Sequence, residues 1–186
     1  PIGMFGEVLG ANVHVVTAQT APLRNLRSVV ERCHLHVDAM VVSPFASALS
    51  CLVDDEKKMG AACIDIGGGT TGIAVFFDGE LVHTEVIPVG GNHITNDIAR
   101  GLQTPFAHAE RMKNLYGTCL PSPSDDAEVI QVPLVGEDDE TGTVQVARSM
   151  LVGIIRPRVE EIIEIARERL AKAGYDQLAG RIVLTG

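Results

Sequence analysis

The chain has 186 residues and a formal net charge of −9, with 46% hydrophobic and 21% charged residues. This is the composition of an ordinary folded protein, and the acidic balance excludes a surface built to neutralise nucleic-acid phosphates. The four cysteines are Cys33, Cys51, Cys63 and Cys119. They form no CxxC pair, so we expect buried free thiols rather than a zinc or redox site. The most apolar stretch, 39–53, is too short to span a bilayer, which takes about 20 apolar residues.

The first part of the chain predicts a strand, an amphipathic helix and a second strand. Residues 7–18 alternate imperfectly between apolar and polar side chains, as strands do. Pro22 opens a helix whose apolar residues recur at helical spacing as far as Cys33, so one face is expected to be packed. The apolar run 37–42 predicts a short buried strand.

The middle of the chain predicts a small-residue helix followed by three strands. Pro44 starts a helix over 45–53, and the polar residues 54–58 are expected to form a solvated turn. The predicted strands are 61–66, 70–77 and 81–88. Asp78-Gly79, between the last two, is a hairpin signal.

The remainder predicts a small insertion and a long helix before a final strand. Helices are predicted at 92–101 and 106–116, and strands at 128–133 and 142–147 around an acidic loop at 136–140. A long helix is predicted at 147–173, and Pro157 should either kink it or mark a junction. The closing run 181–186 predicts a buried strand. A buried strand needs neighbours on both sides, so we expect the chain to be a piece of a longer protein. The order of elements favours an α/β fold with a mixed sheet.

A glycine-rich turn, Asp65-Ile66-Gly67-Gly68-Gly69-Thr70-Thr71, carries the strongest functional signal. Glycines remove the Cβ atoms that would block a phosphate, and successive backbone N–H groups can hold anionic oxygens. The two threonines add hydroxyl donors, and the aspartate can hold Mg²⁺ through its waters.

An ordinary three-glycine hairpin turn is the alternative, although the flanking aspartate and threonines favour phosphate binding. The turn fits neither the Walker A nor the Rossmann pattern, because no Lys-Ser/Thr follows the glycines and no helix begins there. A nucleotide would therefore be held between strands.

These residues resemble a known family. The turn resembles the second phosphate loop of the actin, Hsp70 and hexokinase superfamily, and its flanks, 60–64 and 72–76, resemble those of the FtsA family of bacterial cell-division proteins. The runs 86–99 and 104–117, the triplet Arg156-Pro157-Arg158 and the closing residues 182–186 also fit. The resemblance covers essentially the whole chain.

The resemblance implies an α/β fold: an actin-like (ribonuclease H-like) ATPase lobe with a smaller α+β subdomain, plus the tail of an inserted subdomain. Residues 1–37 would be the end of the inserted subdomain. Residues 38–92 and 178–186 would form the ATPase lobe, and residues 93–177 would form the smaller subdomain at the nucleotide cleft. The superfamily's first phosphate loop and the C-terminal amphipathic helix that attaches such proteins to the membrane are expected outside this chain.

The resemblance also implies that ATP and Mg²⁺ are the cofactors. Glu110 and Lys113, which share one face of a helix, would reach the ribose and adenine, and Gly186 would begin a loop that closes over the adenosine. A solvated ion pair is the alternative for Glu110 and Lys113. The implied nucleotide-binding residues are Gly67, Gly68, Gly69, Thr70, Thr71, Gly90, Gly91, Glu110, Lys113 and Gly186, and Asp65 would position Mg²⁺ and water.

One position predicts slow chemistry. Relatives that hydrolyse ATP rapidly carry Glu or Gln before the helix at Pro44, where this sequence has Ser43. A serine is a poor group for orienting the attacking water, so we expect at most slow ATP hydrolysis, with nucleotide-governed polymerisation as its purpose.

The partners implied by the resemblance are FtsZ, further copies of the protein in a filament, and other division proteins. Such a protein links FtsZ filaments to the cytoplasmic face of the cell membrane at the division site during septum formation. Arg156 and Arg158 are the candidates for contact with the acidic FtsZ C-terminal tail, although either could instead pair with neighbouring glutamates. A shape-determining or pilus-assembly protein of the same superfamily, or a superfamily ATPase or kinase, remains the alternative.

Overall fold

The structure is a computed structural model that describes residues 3, 5–8, 10–11, 13–136, 142–177 and 181–186. The helices in this part of the chain are α1 (Thr20–Arg32), α2 (Ser43–Cys51), α3 (Asp54–Met59), α4 (Gly91–Gly101), α5 (Phe106–Tyr116) and α6 (Arg148–Lys172). The strands are β1 (Ala61–Ile66), β2 (Thr71–Phe77), β3 (Glu80–Ile87), β4 (Val129–Pro133), β5 (Thr143–Ala147) and β6 (Ile182–Thr185). The α/β class predicted from the sequence is confirmed.

The larger sheet has four strands in the order β3-β2-β1-β6. The first three form an antiparallel meander, whereas β6 pairs in parallel with β1. Asp78 and Gly79 connect β2 to β3 with φ angles of +53° and +85°, the pair of positive values that a tight type I′ hairpin requires. The predicted hairpin is therefore confirmed.

Both faces of β1 and β2 are covered, which explains why these strands are apolar except at Asp65 and Thr71. On one face, Cys63 and Phe76 pack with Ala48 and Leu52 around α2. On the other face, alternate residues of the same strands pack against Ala166 and Leu170 of α6, and they include Ala62, Ile64, Ile73 and Val75. The period of two along each strand divides its side chains between two separate cores.

The smaller sheet pairs β4 with β5 and forms its own core with α4, α5 and the first half of α6. Leu151 and Ile155 of α6 lie in this core, whereas Ala166 and Leu170 lie in the core of the larger sheet. The 25-residue helix continues through Pro157, so the proline marks the passage between the two cores rather than an end. Among the described residues, none of the helices combines the length and apolar character needed to cross a membrane.

Several predictions for the first 60 residues are wrong. The described residues of 7–18 and all of 37–42 form no strand, and most are exposed, because no described strand lies beside them to complete a ladder. Helix α1 forms, but it has no buried residue, so its apolar face is not packed within the described part of the chain. Residues 54–58 belong to a helix rather than a turn, and the Glu56 carboxylate accepts a hydrogen bond from the Val53 N–H at its start (3.1 Å).

The cysteines are free, as predicted, but only one of them is buried. Cys33 and Cys51 are exposed, and Cys119 is half-buried. Burial raises the pKa of the Cys63 thiol to about 11, with smaller contributions from Cys51 and Asp65. Of the predicted acidic loop 136–140, residues 137–140 lie outside the described residues.

Arg148, at the start of α6, binds the segment before β4 and the end of α5, and one of its partners is a buried carboxylate. Arg148 Nη1 donates to Asp125 Oδ1 (3.2 Å) and Glu128 Oε2 (3.0 Å), and its Nε donates to the Tyr116 carbonyl (3.0 Å). Asp125 is only 2% exposed, so its carboxylate depends on these partners and on the Ser122 N–H (2.7 Å). Removing the arginine would leave a buried charge without its counter-ion.

We therefore expect Arg148→Met, in the intact protein that carries this chain, to lower the opening free energy of the β4–β5 sheet by about 3 kcal/mol. Hydrogen exchange of the strand amides measures this directly. Glu128→Gln is the matched control, because Glu128 is exposed and its ion pair should contribute less than about 1 kcal/mol. Equal protection in the parent and Arg148→Met would contradict this account of Asp125.

Candidate functional site

The glycine-rich turn connects two paired strands, as predicted. β1 and β2 are antiparallel, with Ile66 opposite Thr71 and Asp65 opposite Gly72. The turn is closed by a hydrogen bond from the Gly67 N–H to the Thr70 carbonyl (2.9 Å). The three glycines have no side chains that could limit access to this end of the hairpin.

The N-terminus of α4 packs directly against the turn. The Gly91 N–H donates to the Gly67 carbonyl (2.9 Å), and the Asn92 N–H donates to the Gly68 carbonyl (2.7 Å). A Cβ atom on Gly90 would lie 2.4 Å from the Gly67 oxygen, so only glycine permits this approach. The sequence-predicted glycines of the turn and of the α4 start therefore form one contiguous surface.

The open side of the turn is available to a ligand. Gly68, Gly69 and Thr70 are exposed, and a Cβ atom on Gly69 would meet nothing within 4 Å. The Asn92 side chain lies beside Gly68, with its Nδ2 atom 3.3 Å from the position a Cβ would take. The glycine backbone here is not covered by side chains of its own, which is a condition for binding an anion through backbone N–H groups.

Thr71 differs from the prediction that it offers a hydroxyl donor to phosphate. The residue is fully buried, and its Oγ1 donates to the Val89 carbonyl (2.8 Å). A hydroxyl has a single hydrogen to donate, so none is left for a ligand in this geometry. Thr71 instead fixes the segment between β3 and α4 against the turn.

Asp65 is held by a residue that the sequence did not single out. Ser47 of α2 donates its hydroxyl to Asp65 Oδ2 (2.7 Å). Asp65 also lines a cavity of about 440 Å³ together with Ser43, Gly67 and Thr70. Ser43, at the position where Glu or Gln is expected in a rapid ATPase, therefore lines the same cavity as Asp65, the carboxylate predicted to position Mg²⁺.

Glu110 and Lys113 form the predicted pair on one face of α5, with Lys113 Nζ 2.7 Å from Glu110 Oε2. The pair is not an isolated surface contact, because Lys113 Nζ also donates to Thr95 Oγ1 (2.8 Å) and to the Gly91 carbonyl (3.3 Å) in α4. The hydrogen bonds from Lys113 and then from Thr95 lower the pKa of Glu110. The contribution of these contacts to stability is therefore present at neutral pH and is lost as the pH falls through that lowered pKa.

Gly186 lies at the same end of the larger sheet. It follows β6, and its φ of +124° is a value that favours glycine. A Cβ atom there would lie 2.2 Å from the Ile66 carbonyl oxygen, so the chain leaves β6 in close contact with the end of β1. The carboxyl ends of parallel strands such as these two are a common place for ligands to bind.

The two arginines proposed for a partner lie on α6 and are both paired. Arg158 binds Asp97 of α4 through two hydrogen bonds (2.6 and 3.3 Å) and also contacts Glu161. Arg156 is more exposed and pairs with Glu160 at 2.6 Å, which raises the pKa of its guanidinium. The partners of both arginines lie on α4 and α6 rather than in the glycine turn.

Sequence reasoning missed Ser47, Asn92 and Thr95. Each contacts a predicted site residue from a separate element, and no local motif signals such a contact. Ser47 belongs to the small-residue helix predicted over 45–53, which was the nearest available signal. Thr95 lies one helical turn after Gly91, where its spacing alone gave no reason to select it.

Comparison with known proteins identifies the family. The family model described as "Cell division protein FtsA" matches residues 62–182, about two thirds of the chain. The cell division protein FtsA of Rhizobium meliloti (strain 1021) is 48% identical over 187 residues, covering 100% of this chain and 42% of that protein. The chain belongs to the FtsA family.

More distant FtsA proteins agree with this assignment. The FtsA protein of Escherichia coli (strain K12) is 38% identical across the whole chain, which spans 46% of its length. The chain thus covers less than half of these relatives. Membership of the FtsA family confirms the resemblance noted in the sequence and sets aside a shape-determining or pilus-assembly family.

A solved structure supports the actin-like fold. The crystal structure of MreB5 of Spiroplasma citri bound to ADP aligns with a TM-score of 0.72 at 21% identity, covering 90% of this chain and 54% of that one. At this identity the likeness concerns the fold alone. The predicted actin-like fold is therefore confirmed.

We expect Gly90→Ala to separate α4 from the glycine turn, since the added methyl group would overlap two backbone oxygens. The cost should be about 1–3 kcal/mol, the usual cost of overpacking. In the intact protein, hydrogen exchange of the Gly91 and Asn92 amides measures the loss, because both donate across this contact.

Gly69→Ala is the control, as the same methyl group would enter open space there. Protection of these amides should remain at the parent level in that variant. If Gly90→Ala retained full protection, the close approach at Gly90 would not be required.

Proposed function

We propose that this chain forms one side of the ATP site of an actin-like cell-division protein. The observation that carries the proposal is the direct hydrogen bonding of the glycine turn to the start of α4, whose Thr95 and Gly91 in turn contact the Glu110–Lys113 pair. A phosphate-binding surface and a polar pair suited to a nucleoside therefore lie in one connected unit. The ADP bound to the structurally similar MreB5 supports this assignment at the level of the fold.

The described residues fit a nucleotide with Mg²⁺. The open glycine surface can receive phosphate oxygens, because its N–H groups are not shielded by side chains. Asp65 offers a carboxylate oxygen, the kind of ligand that Mg²⁺ prefers, beside a cavity of about 440 Å³. When bound, Mg²⁺ would offset phosphate charge and order its own waters. Glu110 can accept hydrogen bonds from ribose hydroxyls, and Lys113 can donate to the base or sugar.

Hydrolysis would be slow at most. Ser43 lines the cavity that contains Asp65, but its hydroxyl does not remove a proton from water at neutral pH as a carboxylate can. Asp65 itself is already engaged by Ser47 through one carboxylate oxygen. The bound nucleotide would then govern assembly of the protein into filaments rather than drive the conversion of a substrate.

We expect the intact protein to bind ATP, and both Gly68→Val and Asp65→Ala to weaken it by at least about tenfold, equivalent to about 1.4 kcal/mol. The valine would fill the open surface and press on Asn92, whereas the alanine removes the carboxylate beside the cavity. Equilibrium binding with and without Mg²⁺ measures both effects, and the Asp65→Ala loss should be greater with Mg²⁺.

Gly153→Ala is the matched glycine control, since that position lies on α6 and a Cβ atom there has nothing within 4 Å. It should bind ATP as the parent does. ATP affinity unchanged in both Gly68→Val and Asp65→Ala would refute the phosphate-turn assignment.

The proposed partner is FtsZ, whose acidic C-terminal tail would bind the subdomain that carries α6. Of the two arginines, Arg156 supports this role better, because Arg158 is engaged by Asp97 and Glu161. The protein would also associate with further copies of itself in filaments and with other division proteins. These interactions would place it at the cytoplasmic face of the membrane at the division site. Membrane attachment would depend on a segment outside this chain.

We expect Arg156→Glu to weaken binding of an FtsZ tail peptide about tenfold, because charge reversal repels an acidic peptide. Glu160→Gln, which releases Arg156 from its ion pair, should bind at least as well as the parent. Fluorescence anisotropy of a labelled peptide at low ionic strength measures both. An unchanged affinity for Arg156→Glu would remove this residue from the interface.

A further inference from the structure

Thr95 lies at the centre of the contact between α4 and α5. It is fully buried, although it is polar and stands between two charged residues. Its Oγ1 is 2.5 Å from Glu110 Oε2 and 3.1 Å from the Gly91 carbonyl oxygen, and it accepts a hydrogen bond from Lys113 Nζ (2.8 Å). A single hydroxyl thus contacts both members of the Glu110–Lys113 pair and the start of α4.

The hydroxyl chemistry fixes how these contacts are shared. A threonine hydroxyl has one hydrogen to donate, and an ionised carboxylate takes it more strongly than a neutral carbonyl does. The shorter distance to Glu110 agrees with that preference. The Lys113 ammonium, with three hydrogens, supplies the contacts to Glu110, Thr95 and the Gly91 carbonyl.

These contacts restrain side chains that would otherwise be free to move. The side chains of Glu110 and Lys113 are 38% and 20% exposed, and holding two long, partly exposed side chains in one geometry costs conformational entropy. Thr95 is held by burial and by the helix, so it can act as a fixed point. The Gly91 N–H also donates to the Gly67 carbonyl, and this backbone contact with the phosphate turn does not involve the Thr95 side chain.

We propose that Thr95 is a positioning residue that fixes the Glu110–Lys113 pair for the nucleoside part of the ligand. The inference rests on the proposed ATP site and assigns a role to a residue that would not itself contact the phosphates. It separates the site into two parts: the turn that binds the phosphate chain, and a pair on α5 whose geometry depends on one hydroxyl.

Two substitutions separate positioning from packing. Thr95→Val keeps the shape of the side chain and removes the hydroxyl, whereas Thr95→Ser keeps the hydroxyl and removes a methyl group. A residue that only filled space would tolerate valine better than serine. A positioning hydroxyl gives the opposite order.

The experiment measures binding of ATP and of inorganic tripolyphosphate to the intact parent and to both variants, with Mg²⁺ present. We expect Thr95→Val to bind ATP about tenfold more weakly, as for loss of a hydrogen bond to a charged group. Its affinity for tripolyphosphate, which has no nucleoside, should stay within about twofold of the parent. Thr95→Ser should restore most of the ATP affinity.

A second readout does not depend on nucleotide. The carboxyl group of Glu110 can be titrated by NMR after selective carbon-13 labelling, and Thr95→Val should raise its pKa because the donated hydrogen bond is lost. Lys113 and Asn114 also donate to this carboxylate and remain in both variants. Thr95→Ser should leave the titration close to that of the parent.

The outcomes separate this inference from the proposed function. If the parent bound neither ATP nor tripolyphosphate, the ATP site itself would fail and this role would fail with it. If the parent bound ATP and Thr95→Val did so equally well, or if the valine and serine variants lost equal affinity, only the role of Thr95 would be overturned. An equal loss of ATP and tripolyphosphate in Thr95→Val would likewise reject a role confined to the nucleoside part.

Discussion

The approach of α4 to the glycine turn is the contact on which the site depends. Gly90 allows the helix N-terminus to come within hydrogen-bonding distance of the Gly67 and Gly68 carbonyl groups, where any larger residue would collide with the backbone. The contact joins an element of the larger sheet to an element of the smaller core. Glu110 and Lys113, which belong to the smaller core's helices, thereby come close to a turn between strands of the larger sheet.

Helix α6 connects the two cores that support this arrangement. Its first half completes the core of the smaller sheet and its second half covers one face of the larger sheet, while α2 covers the other face. β1 and β2 are therefore packed on both faces, and the turn between them extends from a well-packed pair of strands. A functional turn placed on such a support can be both open to solvent and fixed in position.

The sequence predicted the elements between residues 61 and 116 closely, because strand alternation, a hairpin pair and helical spacing are local signals. It failed at 7–18 and 37–42, where the strand pattern has no described neighbour to pair with. The glycines of the site were predictable from their own chemistry. The contacts of Ser47 with Asp65, Thr71 with Val89 and Thr95 with Glu110 were not, since each joins residues at least 15 positions apart in different elements.

The burial of Cys63 under α2 has a practical consequence. Its thiol, with a pKa of about 11, remains protonated at neutral pH, and the protonated form is neither a nucleophile nor readily oxidised. An alkylating reagent would modify the exposed Cys33 and Cys51 first and would reach Cys63 only when α2 moves away from the sheet. The rate at which Cys63 is modified would thus measure how often α2, which carries Ser43 and Ser47, detaches from β1, which carries Asp65.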